Sequence, residues 1–192
     1  RTTISWNIAG DEGGGIYNYI GALTVTNSTI SHNSADWGGG LHTEVGTLTV
    51  TNSNVINNTA STFGGGIYNA GKLTVTNNNV AGNSSYLGGG IFNHGEAAIA
   101  NSTFSKNSVS ESGGGIYNDD IGILQIVNST FFGNTADWDS GGIQSRGGTI
   151  TIDSSTFYQN SAGHIGGGLA SYFTSAIVNN TIIADNLGEN CD

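Results

Sequence analysis

The chain has 192 residues, 36% of them apolar and 9% charged, with 32 glycines and neither proline nor methionine. That apolar share is too large for a disordered coil, and no apolar run approaches the ~20 residues of a membrane-spanning helix, so membrane insertion of this segment is not expected. Four Lys plus Arg against 14 Asp plus Glu give a net charge of −10, which repels phosphate backbones and anionic lipid surfaces and argues against a nucleic-acid partner.

Polarity comes instead from Asn, Ser, Thr and backbone, a composition of strands and turns that is poor in helix formers. The lone cysteine, Cys191, excludes an internal disulfide framework and a CxxC pair. The chain opens at Arg1 without an initiator Met, which fits a processed protein or a fragment.

In chain order, "RTTISWNIAGDE" (1–12) reads as a partial coil, the second half of a repeat whose first half lies elsewhere. From Gly13 the order is fixed: "GGGIYN", a short turn, "LTVTNSTI", then "SxNSA" and a variable acidic turn. Further coils start near Gly38, Gly64, Gly88, Gly113 and Gly166, with "SGG" at Ser140 filling the remaining place, a period of about 25 residues. Apolar and polar residues alternate within both segments, the period-2 mark of strands with one buried face. The expected fold is all-β: a single-stranded parallel β-helix (β-solenoid) of about seven coils, forming one domain over 1–192.

Overlaying the periods gives four apolar columns, starting at Ile16, Leu23, Val25 and Ile30, in which each coil contributes one aliphatic, alanine or phenylalanine. Asparagine is as regular. Asn33, Asn58, Asn83, Asn107, Asn134, Asn160 and Asn186 form one column, and Asn27, Asn52, Asn77, Asn101, Asn128 and Asn180, with Ser154 as exception, form a second. Both are expected to be inward ladders at corners, since an Asn amide bonds both its own turn and the next rung. On that reading the sequons at Asn27, Asn83, Asn101 and Asn128 are sealed, leaving Asn57 and Asn179 as acceptors.

"GGGIYN" together with "FSKN", "FFGN" and "FYQN" and their variants "ISHN" and "VAGN" resembles the Gly-Gly-x-x and Phe-x-x-Asn repeats of chlamydial polymorphic outer-membrane proteins, and also large β-helix surface proteins of other bacteria. The resemblance covers essentially the whole chain. It implies a right-handed coil, a bacterial extracellular or cell-surface location and an adhesive or structural role. The many alternating segments of an outer-membrane barrel are missing from this stretch, so within that family it corresponds to a passenger-type piece.

Four questions of chemistry remain. A lyase needs a clustered base and positive groups, whereas Arg1, Lys72, Lys106 and Arg146 are scattered; a hydrolase needs paired carboxylates, for which only Glu44, Glu96, Asp119 and Asp120 stand in suitable turns, Glu96 and Asp120 one rung apart. The acidic line Asp11, Glu12, Asp36, Glu111, Asp137, Asp139, Glu189 and Asp192 lacks a calcium-loop spacing, and the four histidines occupy unlike phases, so no metal or cofactor is expected. Thr24, Thr26, Thr49, Thr51, Thr74 and Thr76 resemble the flat face of an ice-binding solenoid, but the array breaks at Ala98 and Ala100. Tyr17, Tyr68, Phe92 and Tyr117, with His42 between, form an outward stripe that either stacks on itself or makes a contact surface for sugars or another solenoid. Trp37, Phe63, Leu87 and Ile165, just before the glycines, are expected to pack over that corner.

Neither end carries a capping sequence, so the terminal rungs, Ile4 and Trp6 at one end and Ile183 and Asn186 at the other, are candidates for end-to-end contact. The reading that results is a non-catalytic extracellular structural β-solenoid that self-associates head to tail, and laterally if the stripe is open, into a filament. A passenger-type adhesin fragment touching a cell surface or polysaccharide is the alternative; a polysaccharide-active enzyme and an ice-binding solenoid stand behind both.

Overall fold

The computed structural model describes residues 1–188, and every regular element among them is a β-strand. Expectations for Glu189, Cys191 and Asp192 lie outside the described residues. Each coil supplies three principal strands and a short fourth, as in Ile67–Asn69, Lys72–Thr76, Asn79–Ala81 and Ser84–Ser85. Among the described residues, equivalent strands stack in parallel into four sheets of eight, seven, seven and six strands. The register is one residue to its equivalent: Leu48 to Leu73 to Ala97, Val55 to Val80 to Phe104.

That register turns the four apolar columns into one core. Leu41, Val50, Val55, Ile67, Val75, Val80, Ile116 and Ile126 are fully buried, and Phe104, Phe131 and Phe157 stack with ring centroids 4.9 and 4.7 Å apart. Each such side chain contributes roughly 1.5–3 kcal/mol relative to exposure. A single coil has nothing above or below it, so the stabilisation exists only in the stack.

Three corners per coil use left-handed backbone. The first glycine of each run has φ near +60° to +75°, and Ser140 keeps +56° in the coil where glycine is replaced. The second glycine is required for a different reason: a Cβ on Gly39 would run into the carbonyls of Thr59 and Gly65, farther along the same chain.

The two asparagine columns differ. In the Asn33 series each Oδ1 accepts both the backbone N–H and the Nδ2 of the asparagine one coil earlier, at 2.8 to 3.1 Å, through Asn186. Each Nδ2 also donates to a carbonyl just over one coil back, such as Asn83 to Val55. This is an inward ladder.

The Asn27 series is not. Its members are exposed and hold φ between +46° and +57°, which Asn tolerates better than other residues bearing a Cβ. Regularity there marks a bent backbone, not a ladder. The sequons at Asn27, Asn101 and Asn128 are consequently open, and of the four assigned as sealed only Asn83 is buried. The inward polar positions lie one residue later, where Ser28, Ser53, Asn78, Ser102, Ser129 and Ser155 each accept the N–H of the preceding rung or donate one to the next. A third series joins Asn69, Asn93 and Asn118 to Ser145 by Nδ2 donation at 2.7 to 3.2 Å.

Candidate functional site

The aromatic stripe is built but covered. Rings at one phase of successive coils must lie about one strand spacing apart, and His42–Tyr68, Tyr68–Phe92 and Phe92–Tyr117 centroids stand 4.5, 5.4 and 5.3 Å apart, the last two pairs nearly parallel. Trp37, Phe63 and Leu87, swinging over from the preceding corner, pack against this column. Tyr68, Phe92 and Tyr117 are therefore buried, and only Tyr17 keeps substantial exposure, at 43%. Of the two readings of the stripe, its rings stack on one another, and at Tyr68, Phe92 and Tyr117 they are not an open contact surface. Burial, and the nearby Glu44 carboxylate, push the Tyr68 hydroxyl up to about 12. A hydrogen bond to Glu12 does the same for Tyr17.

Farther along, both columns stop. The aromatic column continues from Tyr117 into Gln144 and then Ala170. The covering column continues from Leu87 into Ser112, Asp139 and Ile165, as backbone bonds from the following glycines or Ser140 show. Two large residues are thus missing at one corner of adjacent coils, and a cleft of about 370 Å³ opens there.

Its walls combine rings and polar groups. Tyr86 and Trp138 are about half exposed and Phe173 almost fully so. Trp138 rests on His164 with centroids 4.7 Å apart, and His164 Nδ1 lies 3.0 Å from Asp139 Oδ1. Tyr172 Oη donates to Asp139 Oδ2 and Tyr86 Oη to Glu111 Oε2, each at 3.3 Å. Arg146 reaches the Tyr117 hydroxyl, whose acidity burial weakens more than Arg146 restores it. Gln144 is 3% exposed, and its Oε1 is buried without a hydrogen-bond partner among the described residues. Sequence reasoning missed this cleft; the signal was available as the covering column shrinking at Ser112 and Asp139 and the aromatic column ending at Gln144 one coil after the first of these.

Other candidates are placed as follows. Glu96 forms an ion pair with Lys72 at 3.2 Å and registers with Ile123, so it is not opposite Asp120; Asp119 instead lies 2.8 Å from His94 Nδ1. Glu96 and Asp120 thus lie three residues out of register. Glu12, His42 and Glu44 do converge, with ligand atoms within 4.8 Å of one another and His42 Nε2 3.0 Å from Glu44 Oε2. Three such groups supply three of the four ligands a zinc ion takes, an arrangement that the unlike phases of the histidines concealed. The threonine array is in register from Thr24 through Thr74 and meets Ala98 next.

At the ends, Ile4 pairs with Ile30 and is half-buried, while Trp6 stands 74% exposed at a left-handed corner, stacked on His32. Ile183 is 48% exposed although it continues a core column, and Asn186 is the last described member of its ladder.

No curated protein and no solved structure matches the chain significantly. Residues 101–119 match the Chlamydia polymorphic membrane protein repeat. That stretch holds "FSKN" (104–107), which supplies a core phenylalanine and a ladder asparagine, and "GGGIYN" (113–118), whose Tyr117 lines the cleft. Residues 101–119 of this β-solenoid are thus similar to a repeat of the Chlamydia polymorphic membrane proteins.

Proposed function

We propose that the chain is a non-catalytic structural and adhesive solenoid displayed outside a bacterial cell, of the passenger type. The observation that carries this reading is the continuity of core columns and the Asn33 ladder from coil to coil in a chain bearing a polymorphic-membrane-protein repeat. Such a stack is a stiff rod whose surface is free for contacts. Antibodies against the chain should label intact cells of the source bacterium, and external protease should remove that label. Labelling only after permeabilisation overturns the surface reading, and turnover of a polysaccharide by purified chain overturns the non-catalytic part.

A second reading concerns the ends. Val178, Ile182 and Ile183 are 42 to 62% exposed on the last described rungs, so these rungs accept a further coil, from a contiguous polypeptide or from a second copy. In the second case the isolated chain forms filaments that Ile4→Lys or Ile183→Lys shortens. A strictly monomeric chain at high concentration, by sedimentation and electron microscopy, overturns it.

A further inference from the structure

We propose that the cleft between Tyr86 and Phe173 is a binding site for a neutral hexopyranose unit of a glycan. This deepens the adhesive reading above and depends on it only for where the glycan is met.

The cleft arises from substitution at fixed phases, since three coils toward the amino terminus fill the same corner with Trp37, Phe63 and Leu87 over an aromatic column. Placing Ser112 and Asp139 at the covering phase and Gln144 and Ala170 at the aromatic phase forfeits packing that the preceding coils have, and creates a volume within the range of small-ligand sites.

The lining has the two faces that a sugar ring presents. A pyranose has an apolar C–H face and a rim of hydroxyls. Trp138 offers an indole already steadied by His164 on one side and still 52% exposed, and Tyr86 supplies a second half-exposed ring. The rim meets Glu111, Asp139, Arg146 and Gln144. The decisive group is Gln144, which stands in the lining with a buried Oε1 that has no donor among the described residues; such an orphaned acceptor is costly, and a turn of the amide toward the cleft lets a sugar hydroxyl supply the donor. Phenol donation leaves carboxylate lone pairs on Glu111 and Asp139 for further hydroxyls, and Arg146 donates to hydroxyl oxygens.

Charge selects among sugars. Two carboxylates face one guanidinium in the lining, and the chain carries −10 overall. Uronic and sialic acids are thereby disfavoured, and a neutral ring is accommodated.

The test uses saturation-transfer-difference NMR of the full chain with glucose, galactose, mannose and N-acetylglucosamine at tens of millimolar, with galacturonic acid as the acidic comparison. At least one neutral sugar should receive saturation and galacturonic acid should not. Trp138→Ala and Gln144→Leu should each weaken binding about tenfold, whereas Trp6→Ala at the far end leaves it unchanged, all three retaining the parent circular dichroism spectrum. If Gln144→Leu alters the fold, Trp138→Ala decides. No saturation of any neutral sugar, preference for galacturonic acid, or equal binding by parent and Trp138→Ala overturns the proposal. A cell-surface chain without sugar binding leaves the surface reading intact; a sugar-binding chain confined inside the cell overturns that reading alone.

Discussion

Replacing Asn83 by alanine tests the ladder directly. Asn83 is fully buried; its Oδ1 accepts the Asn58 N–H at 2.9 Å and Asn58 Nδ2 at 3.0 Å, and its Nδ2 donates to Val55 O at 2.9 Å and Asn107 Oδ1 at 3.0 Å. Alanine removes all four bonds. Asn58 Nδ2 still reaches Ile30 O, and Asn107 Oδ1 still accepts the N–H of residue 83, but the Asn58 backbone N–H is left sealed from water without an acceptor. A lost bond costs about 1 kcal/mol net and an orphaned buried donor about 1–3 kcal/mol, so the variant should lose about 3–5 kcal/mol. That is a large part of the ~5–15 kcal/mol available to an ordinary folded protein. Asn77→Gly is the comparison: Asn77 is exposed at φ +57°, a conformation glycine adopts freely, and the change should be within ~0.5 kcal/mol. Guanidinium unfolding followed by far-ultraviolet circular dichroism measures both. A loss below ~1 kcal/mol for Asn83→Ala, or equal losses in the two variants, would refute the ladder as a source of stability.

Val75→Asp should abolish soluble folded protein, because Val75 is fully buried, while Thr74→Asp on the outer face of the same strand should be mild; equal soluble yields would reverse the assigned faces. Raising pH should destabilise the fold between about 10 and 12. Tyr68 is held up to about 12 by burial, so the folded chain retains a proton that the unfolded chain releases near 10; this stability is complete below 10, is lost through 12, and amounts to about 2–3 kcal/mol. Tyr68→Phe should flatten the alkaline part of a thermal-melt series, and an unchanged profile would count against it. Secreted from a eukaryotic host, the folded chain should carry glycans at Asn27, Asn57, Asn101 or Asn128 but none at Asn83. Peptide mass mapping decides, and occupied Asn83 in folded protein contradicts the buried ladder.

The coils and their core were legible because period-2 alternation and a 25-residue repeat leave one way to bury Leu48, Val50 and Val55 together with their equivalents. The Asn27 series misled because periodicity reports that a position is constrained without saying by what. A left-handed corner and an inward amide both select asparagine, and only the neighbouring Ser28 series distinguishes them. Likewise, alternation places Tyr68 and Phe92 on the outer side of their strand, but cannot show that Trp37 and Phe63 fold back over them from a preceding turn. The cleft was harder still, since it is defined by residues that fail to be large.

The one-to-one register has a consequence for how such a chain changes length. What a rung asks of the next is an apolar residue, an asparagine and a glycine at matching phases, and any coil satisfies any other. Excising 64–87 would bring Leu41 against Ile91, Val50 against Ile99 and Asn58 against Asn107, contacts of the kind already present on either side. Recombination that gains or drops a whole period therefore yields a longer or shorter rod at once. A shift of one residue inverts every strand beyond it.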